Sequence, residues 1–196
     1  MTQRYFDNNR IAAISDGVFA IAMTLLVLDL KLPYLDPPVS KEIFYRAVIH
    51  QFPKFISWVI SFAILCRLWS VQHLILKLNE RKTSVVTALN FMFLGTISFI
   101  PFPTSLISEH PEQSLSAIVF SLTILCAWAA IIGMKRCLKG INYHTVEGDE
   151  MLRSVRPFVI LTPVVTVLSF FLTFLEPQLG VWVWIILPLA GRWLVK

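Results

Sequence analysis

Apolar stretches long enough to cross a bilayer recur along almost the whole chain, at roughly 10–31, 48–75, 84–107, 113–135, 155–175 and 178–195. A helix needs about 20 mostly apolar residues to traverse the hydrocarbon core. In hydrocarbon every backbone N–H and C=O must find a partner within the protein, so only helices and closed barrels span. Apolar runs of this length are helical runs. The sequence therefore predicts an all-α polytopic membrane protein, a single domain over residues 1–196 with six transmembrane helices. The 56% hydrophobic and 15% charged content agrees, since soluble domains carry about a quarter charged residues. The first stretch reads as an uncleaved helix, because Asp16 interrupts a signal-peptide core and apolar residues run on past Ala22 to Leu28.

The net charge of +5 sits in the breaks between apolar runs, where it acts as a topology signal rather than a nucleic-acid footprint. Arg4 and Arg10 precede the first run. Lys77, Arg81 and Lys82 follow the second, with Arg67 inside it, and Lys135, Arg136, Lys139, Arg153 and Arg156 follow the fourth. Arg192 and Lys196 close the chain. The break from Ser108 to Glu112 has no Lys or Arg, Glu176 stands in the break after the fifth run, and Lys31, Lys41 and Arg46 around the first break oppose the bias. Cytoplasmic loops carry the excess of Lys and Arg. Both termini and the 138–154 loop are thus expected in the cytoplasm; the membrane expected is a prokaryotic plasma (inner) membrane.

Little else points to chemistry. Cys66, Cys126 and Cys137 lie in or beside apolar runs without metal or disulfide spacing. His144, close to Glu147, Asp149 and Glu150, reads as part of a solvated acidic loop. The sequence has no H-E-x-x-H, G-x-S-x-G, Walker or dinucleotide motif, and no T-V-G-Y-G filter. No enzyme activity and no cofactor are expected.

The first helix carries the information. Arg10 and Asp16 lie in or at the edge of an apolar span, and an ionised group there costs ~2.5–3.5 kcal/mol, so it faces protein or water. Six residues apart, they are poorly placed to satisfy each other within one helix. Trp69 and His73 on the second span and Asn90 on the third are candidate partners. At about 100° per residue, Ile21, Thr24, Leu25 and Leu28 fall in one sector, extended by Ile14 and Gly17. Periodicity alone leaves two readings open: a lipid-facing or packing face, or an apolar constriction that gates by dewetting.

The string Arg10-x-x-x-Ile14-Ser15-Asp16, with Gly17 to Leu28, Trp69-x-x-x-His73, Asn90 and Pro101-Phe102-Pro103-Thr104, resembles the transmembrane protein 175 family. That family comprises endolysosomal potassium channels and their prokaryotic relatives. Ile14 stands where the family usually has Phe. The resemblance implies a homotetramer in the lipid bilayer, with the first helix of each subunit lining a central pore. It implies rings at Ile21, Leu25 and Leu28, a selectivity role for Thr24, and a structural polar network of Arg10, Ser15, Asp16, Trp69, His73 and Asn90. The permeating ion would be K+, with other monovalent cations as possible companions and no other metal. Eukaryotic members carry two six-span repeats; one is expected here.

Two further functions compete with a potassium-permeable channel. A proton-conducting or proton-coupled carrier would be built on Asp16 and His73. A quinone-binding subunit or small membrane enzyme is argued against by the lack of cofactor ligands and of a nucleophile with a base.

Overall fold

The computed structural model describes residues 8–78, 84–137 and 160–185, and these are helical with short connections and no strand. Helix α1 runs from Asn8 to Leu25 and tightens into a 3-10 turn over Leu26–Asp29. An extended connection leads to α2, Lys41–His50, and α3, Phe52–Leu78. Then come α4, Ser84–Phe99; α5, Pro101–Glu109; and α6, Ser114–Cys137. The last described elements are α7, Ile160–Leu172, and α8, Pro177–Trp182, with a 3-10 turn at Val183–Ile185.

Two pairs of helices run on as nearly continuous rods. Between α4 and α5, Ile100 keeps helical dihedrals, φ −52° and ψ −37°. Pro101 lacks the N–H that would continue the ladder, so the rod bends there and carries on. Gln51 likewise stays helical between α2 and α3, and its carbonyl accepts from Phe55 N at 3.0 Å. Helix α2 begins where Ser40 Oγ accepts from Ile43 N at 3.2 Å, and an Arg46–Glu42 pair at 2.6 Å bridges its next turn. None of its residues is buried.

Four continuous helical stretches are long and apolar enough to cross a membrane: Arg10–Asp29, Lys41–Lys77, Ser84–Glu109 and Ser114–Cys137. They coincide with the first four predicted runs. Within the fifth, the described apolar helix Ile160–Leu172 is shorter. The 138–154 loop and the greater part of the sixth run lie outside the described residues.

The core forms where α1, α3, α4 and α6 meet. Leu26, Leu65, Leu68, Phe93, Ile97, Ile100 and Ile124 are completely buried there. Helix α4 packs most extensively on α6, and Gly133 permits the approach, since a Cβ there would stand 3.2 Å from Leu89 Cδ1. Small residues at helix contacts are the usual way to gain dispersion contact in lipid. A knot of hydroxyls secures the last elements. Ser169 Oγ donates to the Gly180 carbonyl (2.6 Å), accepts from Trp184 Nε1 (2.9 Å), and meets Ser121 Oγ of α6 at 3.1 Å.

Candidate functional site

Helix α1 has one covered face and one bare face. Ile11, Ser15, Phe19, Ala22 and Leu26 recur at three- and four-residue intervals and are all buried. That spacing keeps one helix face against α3 and α4. The bare side carries Ile14, Gly17, Ile21, Thr24, Leu25 and Leu28, all exposed in the protomer. Ile21 is 61% exposed and Leu28 54%, the highest values among the large apolar side chains of α1 and its terminal turn. The stripe drawn from periodicity therefore lies within the part of α1 that its own chain leaves uncovered, which Ala13, Asp16, Ala20 and Val27 widen. Thr24 Oγ donates to the Ile21 carbonyl at 2.8 Å, so its lone pairs remain on the bare side.

The polar residues beside the stripe fall into two groups. The first is buried. Gln72 Nε2 donates to Ser15 Oγ (2.8 Å) and to Asn90 Oδ1 (2.9 Å), and Asn90 Nδ2 donates to the same Ser15 oxygen at 3.2 Å. Ser15 in turn donates to the Ile11 carbonyl at 2.8 Å. One serine, one glutamine and one asparagine thus lock α1, α3 and α4 together. All three are no more than 1% exposed. Sequence reasoning placed Ser15 and Asn90 together but missed Gln72, the residue that joins them. Its signal was available: an amide deep within a long apolar run, one turn beyond Trp69 and on the same side of the helix.

In the second group Asp16 and Trp69 are exposed in the protomer and His73 is half-buried. Trp69 Nε1 donates to Asp16 Oδ1 at 2.7 Å, and the His73 ring packs on Trp69 with centroids 5.6 Å apart. Arg10 joins neither group. It is exposed, no described residue bonds to it, and it sits four residues before Ile14, at the end of the bare stripe. The network anticipated as one is therefore a buried triad, an adjacent Asp16–Trp69–His73 row, and a separate arginine.

Chemically the site offers an apolar helix face, one hydroxyl turned toward it, and a carboxylate held off to the side. No cluster of His, Cys, Asp or Glu that could hold a metal occurs among the described residues.

A profile of the family described as endosomal/lysosomal potassium channel TMEM175 matches residues 10–101. A potassium channel of Chamaesiphon minutus is 33% identical over 149 residues, which cover 74% of this chain and 70% of that protein. A potassium channel of Streptomyces collinus is 32% identical over 123 residues, 61% of this chain and 58% of that protein. The endosomal/lysosomal proton channel TMEM175 of Homo sapiens is 31% identical over 126 residues, and the match spans only 25% of its length. The crystal structure of a lysosomal potassium-selective channel TMEM175 homolog from Chamaesiphon minutus superposes with a TM-score of 0.75 at 27% identity. That superposition covers 94% of this chain and 96% of the other.

Proposed function

This chain belongs to the TMEM175 family of ion channels, and we propose that it is a potassium-permeable cation channel that works as a homotetramer in a bacterial plasma membrane. In this reading each chain contributes six spans, and the first helices of four chains surround the conduction path. Ile21, Leu25 and Leu28 form successive apolar rings, and Thr24 offers a hydroxyl oxygen between them. Both termini and the 138–154 loop are cytoplasmic. No cofactor takes part, and potassium is the species moved.

The observation that carries the proposal is the bare stripe of α1. One such face cannot enclose a path, whereas several copies in cyclic symmetry can. A narrow apolar ring blocks ions because entry strips hydration water without replacing it, and widening or wetting the ring lifts the block. The buried triad holds α1 at a fixed rotation, so the stripe presents the same residues in every copy. The naming of bacterial relatives as potassium channels supports the choice of ion.

The test is ion flux in liposomes under potassium, sodium and proton gradients. Ile21→Asn places amide dipoles at the ring and raises potassium flux, with weaker discrimination against sodium. Thr24→Ala lowers potassium preference with little gain in flux. Leu122→Ala, on an exposed face of α6, is the control and changes neither. Equal flux in wild type and Ile21→Asn, both tetrameric, removes the stripe from the path.

A second reading is proton conduction through Asp16 and His73. It draws support from the vertebrate relatives, which are named proton channels, and from the exposure of Asp16 in the protomer. Proton flux that persists without potassium and disappears in Asp16→Asn would favour it.

A further inference from the structure

Arg67 stands well inside α3, ten residues before Lys77 and thirteen after Lys54. At 1.5 Å per residue it lies ~15 Å from the first and ~20 Å from the second. Side chains on a helix lean toward its N-terminus, so Arg67 leans away from its nearer end. The residue is nevertheless exposed in the protomer, and no described residue forms a hydrogen bond or ion pair with it. The ion pairs among the described residues are Arg46–Glu42, Lys54–Glu109 and His110–Glu112. A guanidinium at such a depth does not face lipid tails; it faces protein or a water-filled space.

Asp16 poses the complementary question. One carboxylate oxygen takes the Trp69 indole, and no described donor reaches the other. Trp69 lies two residues after Arg67, only ~3 Å along the helix, so Asp16 and Arg67 share a depth. They do not share a side. Positions two apart on a helix point ~160° away from each other, and α1 lies on the Trp69 and Gln72 side of α3. The body of α3 thus separates Arg67 from the aspartate of its own chain.

We propose that Arg67 of each protomer pairs with Asp16 of the neighbouring copy, tying α3 of one subunit to α1 of the next. The inference rests on the tetrameric reading above. In a cyclic ring the contacting surfaces are different flanks of the same molecule, one meeting the other around the circle. This chain carries a lone cation on one flank and a half-satisfied carboxylate on the other, at one depth. The fork of a guanidinium can use the free carboxylate oxygen while the indole keeps its bond. The pair lies about five residues, ~7.5 Å of rise, from Ile21, so it sets the spacing of the α1 helices near the narrowest ring.

The experiment uses the full chain with Cys66, Cys126 and Cys137 replaced by serine. Arg67→Cys and Asp16→Cys are introduced together, and the detergent-solubilised protein is treated with a short bis-methanethiosulfonate. The expected result is a ladder to tetramer on denaturing gels, absent from either single variant. Consumption of both thiols within monomers, or no ladder from a chain that native mass spectrometry finds tetrameric, overturns the inference and leaves the tetramer standing. A wild-type chain that is not tetrameric removes the functional reading itself. Should the double variant not assemble, Arg67→Met decides. It lowers tetramer association at least tenfold, and Arg67→Lys recovers most of the loss. A tetramer as stable with Met as with Arg refutes the pair.

Discussion

Gln72→Met tests whether the buried triad, rather than apolar packing, fixes the rotation of α1. Methionine keeps the length of the side chain and removes its donors. Two bonds disappear, to Ser15 Oγ at 2.8 Å and to Asn90 Oδ1 at 2.9 Å. Hydrogen bonds between membrane helices average ~0.6 kcal/mol each, so the direct loss is about 1.2 kcal/mol. The larger effect falls on Asn90, which is 0% exposed. Its carbonyl oxygen is left without a donor at a cost of ~1–3 kcal/mol, while its amide still reaches Ser15. The sum is about 2–4 kcal/mol, measurable as reversible unfolding in mixed micelles. Repeating the substitution in an Asn90→Leu background removes the group that would be stranded, and the cost of Gln72→Met there drops below about 1 kcal/mol. The resulting coupling of ~1–3 kcal/mol is what directly interacting residues produce. Equal costs in the two backgrounds, or a change under about 0.5 kcal/mol in both, would refute the triad as the element that orients α1.

Other substitutions separate strong constraints from weak ones. Gly180→Ala destabilises by ~1–3 kcal/mol in the same unfolding assay, because the added Cβ collides with Thr173 Oγ1 and comes 3.0 Å from the Ser169 carbonyl. Trp69→Phe keeps the aromatic contact with His73 but strips the Asp16 carboxylate of its donor. It lowers tetramer stability by about 1–2 kcal/mol, read from the detergent concentration at which native mass spectra lose the tetramer. Lys54→Met breaks a pair at 2.9 Å whose side chains are 23% and 48% exposed. It costs less than ~1 kcal/mol, and the cost shrinks further in high salt. A single cysteine at Glu150 is protected from an impermeant thiol reagent in intact cells, and one at Glu109 is labelled; the reverse pattern inverts the topology.

The membrane-crossing helices and the bare stripe were legible because each depends on one periodic property of a single segment. Apolar length marked the four long spans. The 3.6-residue repeat sorted α1 into sides, and Ile21, Thr24, Leu25 and Leu28 fall on the uncovered one. The partners of the polar residues depend on how helices are rotated against one another, which no single segment encodes. Hence Gln72 went unnoticed, and within one chain Arg10 forms no hydrogen bond with the described residues it was grouped with. The start of α2 was missed for a different reason. Lys41, Glu42 and Arg46 depress the hydropathy there, whereas the helix is begun by the Ser40 cap and braced by the Arg46–Glu42 pair. The bend at Pro101 was hidden inside an apolar run, since hydropathy does not register the loss of one backbone donor.

The hydroxyl of Thr24 spends its proton on the Ile21 carbonyl one turn back. A hydroxyl free to rotate is indifferent to sign, since it can turn a hydrogen toward an anion or an oxygen toward a cation. This one has been polarised by its own helix. In the tetrameric pore proposed above, an ion passing that face would meet the Thr24 oxygen as an acceptor and no donor, so the face would discriminate by the sign of charge without holding a formal charge. Such discrimination does not titrate, and added salt cannot screen it away as it would a ring of carboxylates. Serine at the same position retains it only while the bond to the carbonyl at position 21 holds, and valine of the same shape abolishes it.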